Sequence, residues 1–240
     1  MAYFIGTSGY FYRHWEKIFY PQKASLEYYA RFFNSVELNV TFYRQLPENI
    51  FKGWYKKTPP DFRFILKGPR LITHVKRLQN IEAALDMFLQ RADIMKEKLL
   101  GVLWQLPPNL EYEPTRFKKF LQVLRRKKIK FHQSLEVRNK SWFNEEVYDA
   151  LKENHIALCI ADSPRYPQKE IITADFIYLR FHGGKVLYSS NYSEKELKMW
   201  RDKIKKWQKD IATFMIFFNN DAQGFAVKNA LRLKAMLNKQ

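Results

Sequence analysis

Short apolar runs alternate with longer segments of helical spacing along this chain, and that alternation limits its fold more than any other feature. The strand candidates are residues 3–7, 35–39, 62–67, 99–106, 130–137, 156–161, 176–182 and 213–219. All are rich in Phe, Ile, Val and Leu, the composition of parallel strands buried on both faces. Between them lie helical stripes. Asn80 is placed to cap a helix carrying Ile81, Ala84, Leu85, Phe88 and Leu89. Pro114 suits a first helical turn, ahead of Phe117, Phe120, Leu121 and Leu124. Ser193 with Glu196 reads as a capping box, opening a face of Leu197, Trp200, Ile204, Trp207 and Ile211. A last helix carries Phe225, Ala226, Ala230, Leu231, Leu233 and Leu237. Eight strands spread over 240 residues give roughly 30 residues per unit, the scale of a compact α/β fold of the TIM type. The expectation is a single (β/α)8 barrel domain over residues 1–240. An open doubly wound sheet is the weaker alternative, because Gly6-Thr7-Ser8-Gly9 lacks the spacing of a dinucleotide-binding turn.

Composition removes several classes. Hydrophobic residues at 46% can build a core, which excludes a disordered chain. A single cysteine excludes a disulfide scaffold and a cysteine-based zinc site. The apolar runs are too short to span a membrane, and the N-terminus lacks signal-peptide order, so a cytoplasmic protein without membrane partners is expected. With 42 basic against 24 acidic residues the formal charge is +18, which invites a nucleic-acid reading.

Strand parity locates a subset of that charge. Glu37 and Asn39 share one side of their strand, and Lys67 lies opposite Phe64 and Leu66. His132, Ser134, Glu136 and Arg138 alternate with Phe131, Gln133, Leu135 and Val137. Tyr178, Arg180 and His182 alternate with Ile177, Leu179 and Phe181, while Gln105 and Asn219 fall at strand ends. Polar residues thus gather inward and toward the C-terminal strand ends, where barrel enzymes assemble their sites. An internal salt-bridge layer is the plain reading of such a cluster. Burying charge is costly unless it pairs or serves a ligand, and a ligand site is the preferred reading, because so many charges converge on the end where ligands normally bind. Three cations, Lys67, Arg138 and Arg180, face two carboxylates, so an anionic ligand such as a phosphate or carboxylate is expected. Tyr10, Tyr43 and Trp142 follow strands and are expected to line the mouth, as ring-stacking groups or as a packed lid.

Other chemistries are less well served. Glu37, Glu136, Asp162 and His182 supply metal-ligand types, but no histidine pair has ligand spacing and cations occupy neighbouring places, so a divalent metal is not favoured. No cofactor is expected. Ser8 lacks a nucleophile elbow, and Cys159 lies mid-strand, the setting of an inert thiol.

The motifs Gly6-Thr7-Ser8-Gly9-Tyr10, Phe19-Tyr20-Pro21, Tyr28-Tyr29-Ala30, Val36-Glu37-Leu38-Asn39 and Thr41-Phe42-Tyr43-Arg44 are joined by Ile72-Thr73-His74 and Gln105-Leu106-Pro107-Pro108. Glu136-Val137-Arg138, Ser141-Trp142, Leu179-Arg180-Phe181-His182-Gly183 and Phe218-Asn219-Asn220 complete the set. Together they resemble the YecE-like family. The resemblance runs from Met1 to the last helix and implies an eightfold β/α barrel, but no established reaction. Kinship with metal-dependent barrel endonucleases would rest on fold analogy alone. The residue-level expectation is therefore an enzyme acting on a phosphorylated substrate. Lys67, Arg138 and Arg180 would hold the anion, Glu37 or Glu136 would act as acid/base, and His182 would carry a second proton. Asn39, Gln105 and Asn219 would add hydrogen bonds. A nucleic-acid binder or nuclease-like barrel using Arg44, Arg70, His74, Lys76, Arg77 and Lys185 is the first alternative, and a partner scaffold without chemistry the second. The runs 125–128 and 203–209 read as solvated helix faces.

Overall fold

The computed structural model describes residues 1–238. It contains nine parallel strands among the described residues: β1 (Ala2–Thr7), β2 (Ser35–Leu38), β3 (Arg63–Lys67), β4 (Leu99–Gln105), β5 (His132–Glu136), β6 (Ile156–Leu158), β7 (Ile160–Asp162), β8 (Phe176–Phe181) and β9 (Thr213–Phe218). The ladders divide them into two sheets, β1-β9-β8-β7 and β2-β3-β4-β5-β6. The ring expected from sequence therefore resolves as two parallel sheets. The expected sixth strand is two short ones with Cys159 between them, and the chain passes there from one sheet to the other. At the other junction a single bridge, Ser8 to Glu37, links the ends of β1 and β2, and the Gly9 amide donates to the Glu37 carbonyl at 2.7 Å. Gly6 makes this approach feasible, since a Cβ there would meet the Ser35 carbonyl oxygen at 2.1 Å.

Helices return the chain between strands: α1 (Leu26–Tyr29), α2 (Val40–Tyr43), α3 (Glu48–Lys56), α4 (Glu82–Ala92), α5 (Pro114–Arg126), α6 (Glu145–Glu153), α7 (Glu194–Trp207) and α8 (Phe225–Asn238). Helix α5 opens at Pro114, whose missing amide costs nothing in a first turn. Glu113 caps it by accepting from the Thr115 and Arg116 amides, both at 2.8 Å. The Ser193–Glu196 capping box opens α7 as the spacing predicts. Asn80 departs from its expected role. It sits at φ 50°, a left-handed turn that asparagine tolerates, and Ile81 takes the cap position of α4. Helix α7 ends at Trp207, so Ile211 is buried beyond it. No helix among the described residues is long and apolar enough to cross a membrane.

Two apolar cores follow from strand parity. The larger packs the helices on the sheets and holds Trp15, Trp104, Trp142 and Trp200. The smaller draws Ile65, Leu103, Ala157, Met215, Phe217 and Tyr178 from both sheets. Because alternate strand residues face opposite ways, the positions following these toward the C-terminal strand ends carry the polar groups.

Candidate functional site

Arg180 is the hub of a buried ion cluster. It lies on β8 in phase with Tyr178 and His182, 1% exposed, between carboxylates of two strands in the opposite sheet. Its Nη2 donates to Glu37 Oε1 of β2 at 2.6 Å, and its Nη1 donates to Glu136 Oε2 of β5. The Tyr178 hydroxyl donates to the other Glu37 oxygen at 2.6 Å. Arg138 Nε donates to Glu136 Oε1 at 2.7 Å, and His182 Nε2 stands 3.6 Å from that oxygen. The Asn219 amide lies 3.0 Å from His182 Nδ1. If it donates there, the remaining imidazole proton sits on Nε2, toward Glu136.

The electrostatics follow from this pairing. Burial works to raise both carboxyls, but Arg180 and the Tyr178 hydroxyl hold Glu37 below its ordinary range. Arg138, Arg180 and His182 hold Glu136 well below it. Arg180 is pushed well up: burial opposes its charge, but Glu37 and Glu136 more than compensate. Burial pulls His182 down to about 4 against the attraction of Glu136, so the ring is neutral at pH 7.

One side-chain layer further along the strands, a cleft of about 520 Å³ opens at their C-terminal ends. Lys67 ends β3, Gln105 ends β4, Asn39 follows β2, Arg138 follows β5 and Asn219 follows β9, and all five line it. Arg70 and His74, from the turn after β3, add a third cation and an imidazole. Tyr12, Phe42, Tyr43 and Tyr188 supply aromatic walls, and Asp221 is the one carboxylate in the lining. Burial raises the Asp221 carboxyl above its ordinary range.

Lys67 differs from every other charge here. It is 6% exposed, yet its amine has no hydrogen-bond acceptor or ion-pair partner among the described residues. Its Nζ lies 4.1 Å from the centroid of the Phe42 ring. Burial, followed by repulsion from Arg180, brings the amine down to about 7, although Glu136 and Glu37 pull the other way. His74 packs edge-on against the same Phe42 ring at 4.9 Å, and burial with Lys67 and Arg138 nearby brings it down to about 4.

The sequence-derived residues thus fall into three groups. Asn39, Tyr43, Lys67, Gln105, Arg138 and Asn219 line the cleft. Glu37, Glu136, Arg180 and His182 form the buried layer beneath it and are absent from its lining. Tyr10 and Trp142 lie elsewhere. Tyr10 packs toward Tyr29 and accepts from the Trp54 indole at 3.3 Å. Trp142 is fully buried against Tyr112 and Phe117 and donates to the Leu110 carbonyl at 2.7 Å. Sequence reasoning did not pick out Tyr12, Tyr188 or Asp221, which sit in loops without any periodic pattern. The count of three cations against two carboxylates also changes meaning, because both arginines are taken by the carboxylates and only Lys67 remains without a counter-ion.

The remaining alternatives have their own geometry. Asp162 accepts from the Trp200 indole of α7 at 3.1 Å, so it faces the helices and not Glu37, Glu136 and His182. No group of three or more His, Cys, Asp or Glu side chains among the described residues is arranged to hold a metal ion. Of the cations considered for nucleic acid, Arg70 reaches the cleft, Arg44 lines a separate groove, and Arg77 donates to the Asn109 carbonyl at 2.7 Å. The run 125–128 lies at the end of α5 that leads into β5, opposite the cleft. Cys159 is buried and its thiol is pushed well up by that burial.

The model of the family described as "Protein of unknown function DUF72" matches residues 4–240. The chain belongs to the DUF72 family. Its curated relatives include UPF0759 protein YunF of Bacillus subtilis, 26% identical with 92% of this chain and 90% of that one covered. UPF0759 protein YecE of Escherichia coli K12 is 24% identical, covering 82% of this chain and 80% of that one. Among solved structures, a DUF72 protein from Thermotoga maritima superposes with a TM-score of 0.84 at 29% identity over the full length of both chains. A DUF72 protein from Enterococcus faecalis gives 0.87 at 22% identity, covering 100% of this chain and 96% of that one. The YecE-like resemblance read from the motifs is thus the family itself. Its α/β fold with parallel strands is the one these two solved DUF72 structures match over nearly their whole length.

Proposed function

We propose that this protein is an enzyme binding a small anionic, phosphorylated ligand in the cleft at the C-terminal strand ends. The observation that carries the reading is the lining: Lys67, Arg70 and Arg138 face one concavity, with Asp221 as its single acidic group. Two features support a single (β/α)8 barrel domain as the frame, namely the passage of the chain from one sheet to the other at Cys159 and the Ser8–Glu37 bridge at the opposite junction. In such a frame the C-terminal mouth is where ligands bind.

Within this reading the residues divide their work. Arg138 is held by Glu136, so its remaining guanidinium donors can be presented to an anion in a fixed orientation. Glu37, Glu136 and Arg180 neutralise one another and act as positioning groups, and their burial keeps the carboxylates away from a ligand in the cleft. Asn39, Gln105 and Asn219 offer amide hydrogen bonds. The neutral His74 ring is the better-placed proton carrier, since it lines the cleft and His182 does not. The ring walls of Tyr12 and Tyr43 suit the uncharged part of a ligand.

Titration calorimetry with a panel of small phosphomonoesters and their dephosphorylated parents tests this reading. Binding should require the phosphoryl group and should weaken at least tenfold in Arg138→Leu, since each charge-assisted hydrogen bond is worth about 1.5–3 kcal/mol. Equal affinity for both members of each pair would reject an anion site.

A further inference from the structure

The two most buried lysines are treated oppositely by the fold. Lys98 is 4% exposed, and its amine donates to the Tyr55 carbonyl at 2.7 Å, the Thr58 carbonyl at 2.6 Å and the Thr58 hydroxyl at 3.2 Å. That amine is fully engaged and has no room for chemistry. Lys67, as deeply placed, has none of these partners. Its Nζ stands over the Phe42 ring face and opens on the cleft. A lysine serving only as a structural cation would be expected to meet a carboxylate, and both nearby carboxylates are already committed to arginines.

We propose that Lys67 is a nucleophilic amine that forms an imine with the carbonyl carbon of an anionic aldehyde or ketone bound in the cleft. The inference rests on the anion-site reading for the group that brings the carbonyl to Lys67. In the first step the neutral amine attacks the carbonyl carbon. A C–N bond forms, the carbonyl π pair moves to oxygen, and a proton passes from nitrogen to oxygen to give a carbinolamine. In the second step the C–O bond breaks, the nitrogen lone pair closes the C=N bond, and the hydroxyl leaves as water with the remaining nitrogen proton. Amine and carbonyl become imine and water, with no change in oxidation state. The His74 ring, packed against the same Phe42 ring, lining the same cleft and neutral at pH 7, is the group assigned to relay the proton to the departing hydroxyl.

The depressed basicity of Lys67 supports the geometry. An ordinary lysine near 10.4 is neutral in about one molecule in 2,500 at pH 7. An amine brought down to about 7 is neutral in roughly half of them.

The test is reductive trapping of the full chain with glyoxylate and sodium cyanoborohydride at pH 7, followed over time by peptide mass spectrometry. Lys67 is expected to gain the adduct at least about tenfold faster than exposed lysines such as Lys195 and Lys198, even allowing for its lower intrinsic nucleophilicity. Inorganic phosphate should slow labelling of Lys67 alone, and Lys67→Met should remove only that adduct. Labelling of Lys67 no faster than the exposed lysines overturns the imine proposal. Fast labelling that phosphate leaves unchanged supports the nucleophile and rejects the anion site around it. Slow labelling beside calorimetric phosphate binding does the reverse.

Discussion

Replacing Arg180 with methionine should be the most damaging single polar change in the molecule. The substitution keeps the bulk of the side chain but removes the cation between Glu37 and Glu136, which are 0% and 1% exposed. Glu136 retains Arg138, whereas Glu37 keeps only the Tyr178 hydroxyl as a direct partner. Removing one member of a buried ion pair costs about 3–5 kcal/mol, because the stranded charge stays desolvated. A loss of that size is about three-fifths or more of the stability of a domain at the low end of the usual range of about 5–15 kcal/mol. The loss should depend on pH. In the native chain both carboxyls are held below their unfolded values, so their stabilisation is complete above about pH 4.5 and fades as pH falls through the folded values. In the variant, burial raises Glu37, which then destabilises the fold as pH rises through its new value. Urea unfolding of both proteins at pH 7 and pH 4.5 should therefore show a deficit that is largest at pH 7. If Arg180→Met fails to fold at pH 7, adding Glu37→Gln should restore folding, because the neutral amide needs no counter-ion. A deficit under about 1 kcal/mol at pH 7, or one independent of pH, would refute the idea that this cluster is a neutralised charge layer.

Other expectations separate the cleft from its support. Lys67→Met should raise stability at pH 6 by about 1–4 kcal/mol, since it removes a buried charge that has the Phe42 ring face but no counter-ion beside it. The gain should shrink between pH 7 and pH 10, where native Lys67 is neutral while the unfolded lysine is still charged, and paired urea titrations check it. Trp142→Ala should cost about 3–5 kcal/mol in unfolding free energy while phosphomonoester affinity stays within about twofold, because the ring packs away from the cleft. Gly6→Ala should destabilise by about 1–3 kcal/mol in the same assay, as its Cβ would strike the Ser35 carbonyl where β1 meets β2.

The alternation of strands and helices is legible because buried parallel strands concentrate Phe, Ile, Val and Leu and so announce themselves without context. Observed strands start and end within about two residues of the expected runs, and the parity that groups Tyr178 with Arg180 and His182 holds in the packing. What spacing does not carry is distance. It marks Arg138 and Arg180 as cations on the inner faces, but only the folded geometry shows each spent on a carboxylate and Lys67 left alone. Tyr10 and Trp142 were expected at the mouth because they follow strands. A loop residue can fold back as readily as forward, and both find apolar partners outside the cleft. Tyr188 and Asp221 reach the cleft from irregular segments that no periodicity can aim. The split at Cys159 was equally silent, since a continuous apolar run looks the same whether it pairs within one sheet or two.

Crystals soaked in tungstate, a tetrahedral oxyanion with a strong anomalous signal, would locate anion binding directly. Anomalous density is expected in the cleft within hydrogen-bond reach of Lys67 and Arg138, and absent there in crystals of Lys67→Met combined with Arg138→Leu. Density confined to surface lysines of the outer helices, with the cleft empty, would mean that the converging cations do not form an anion site.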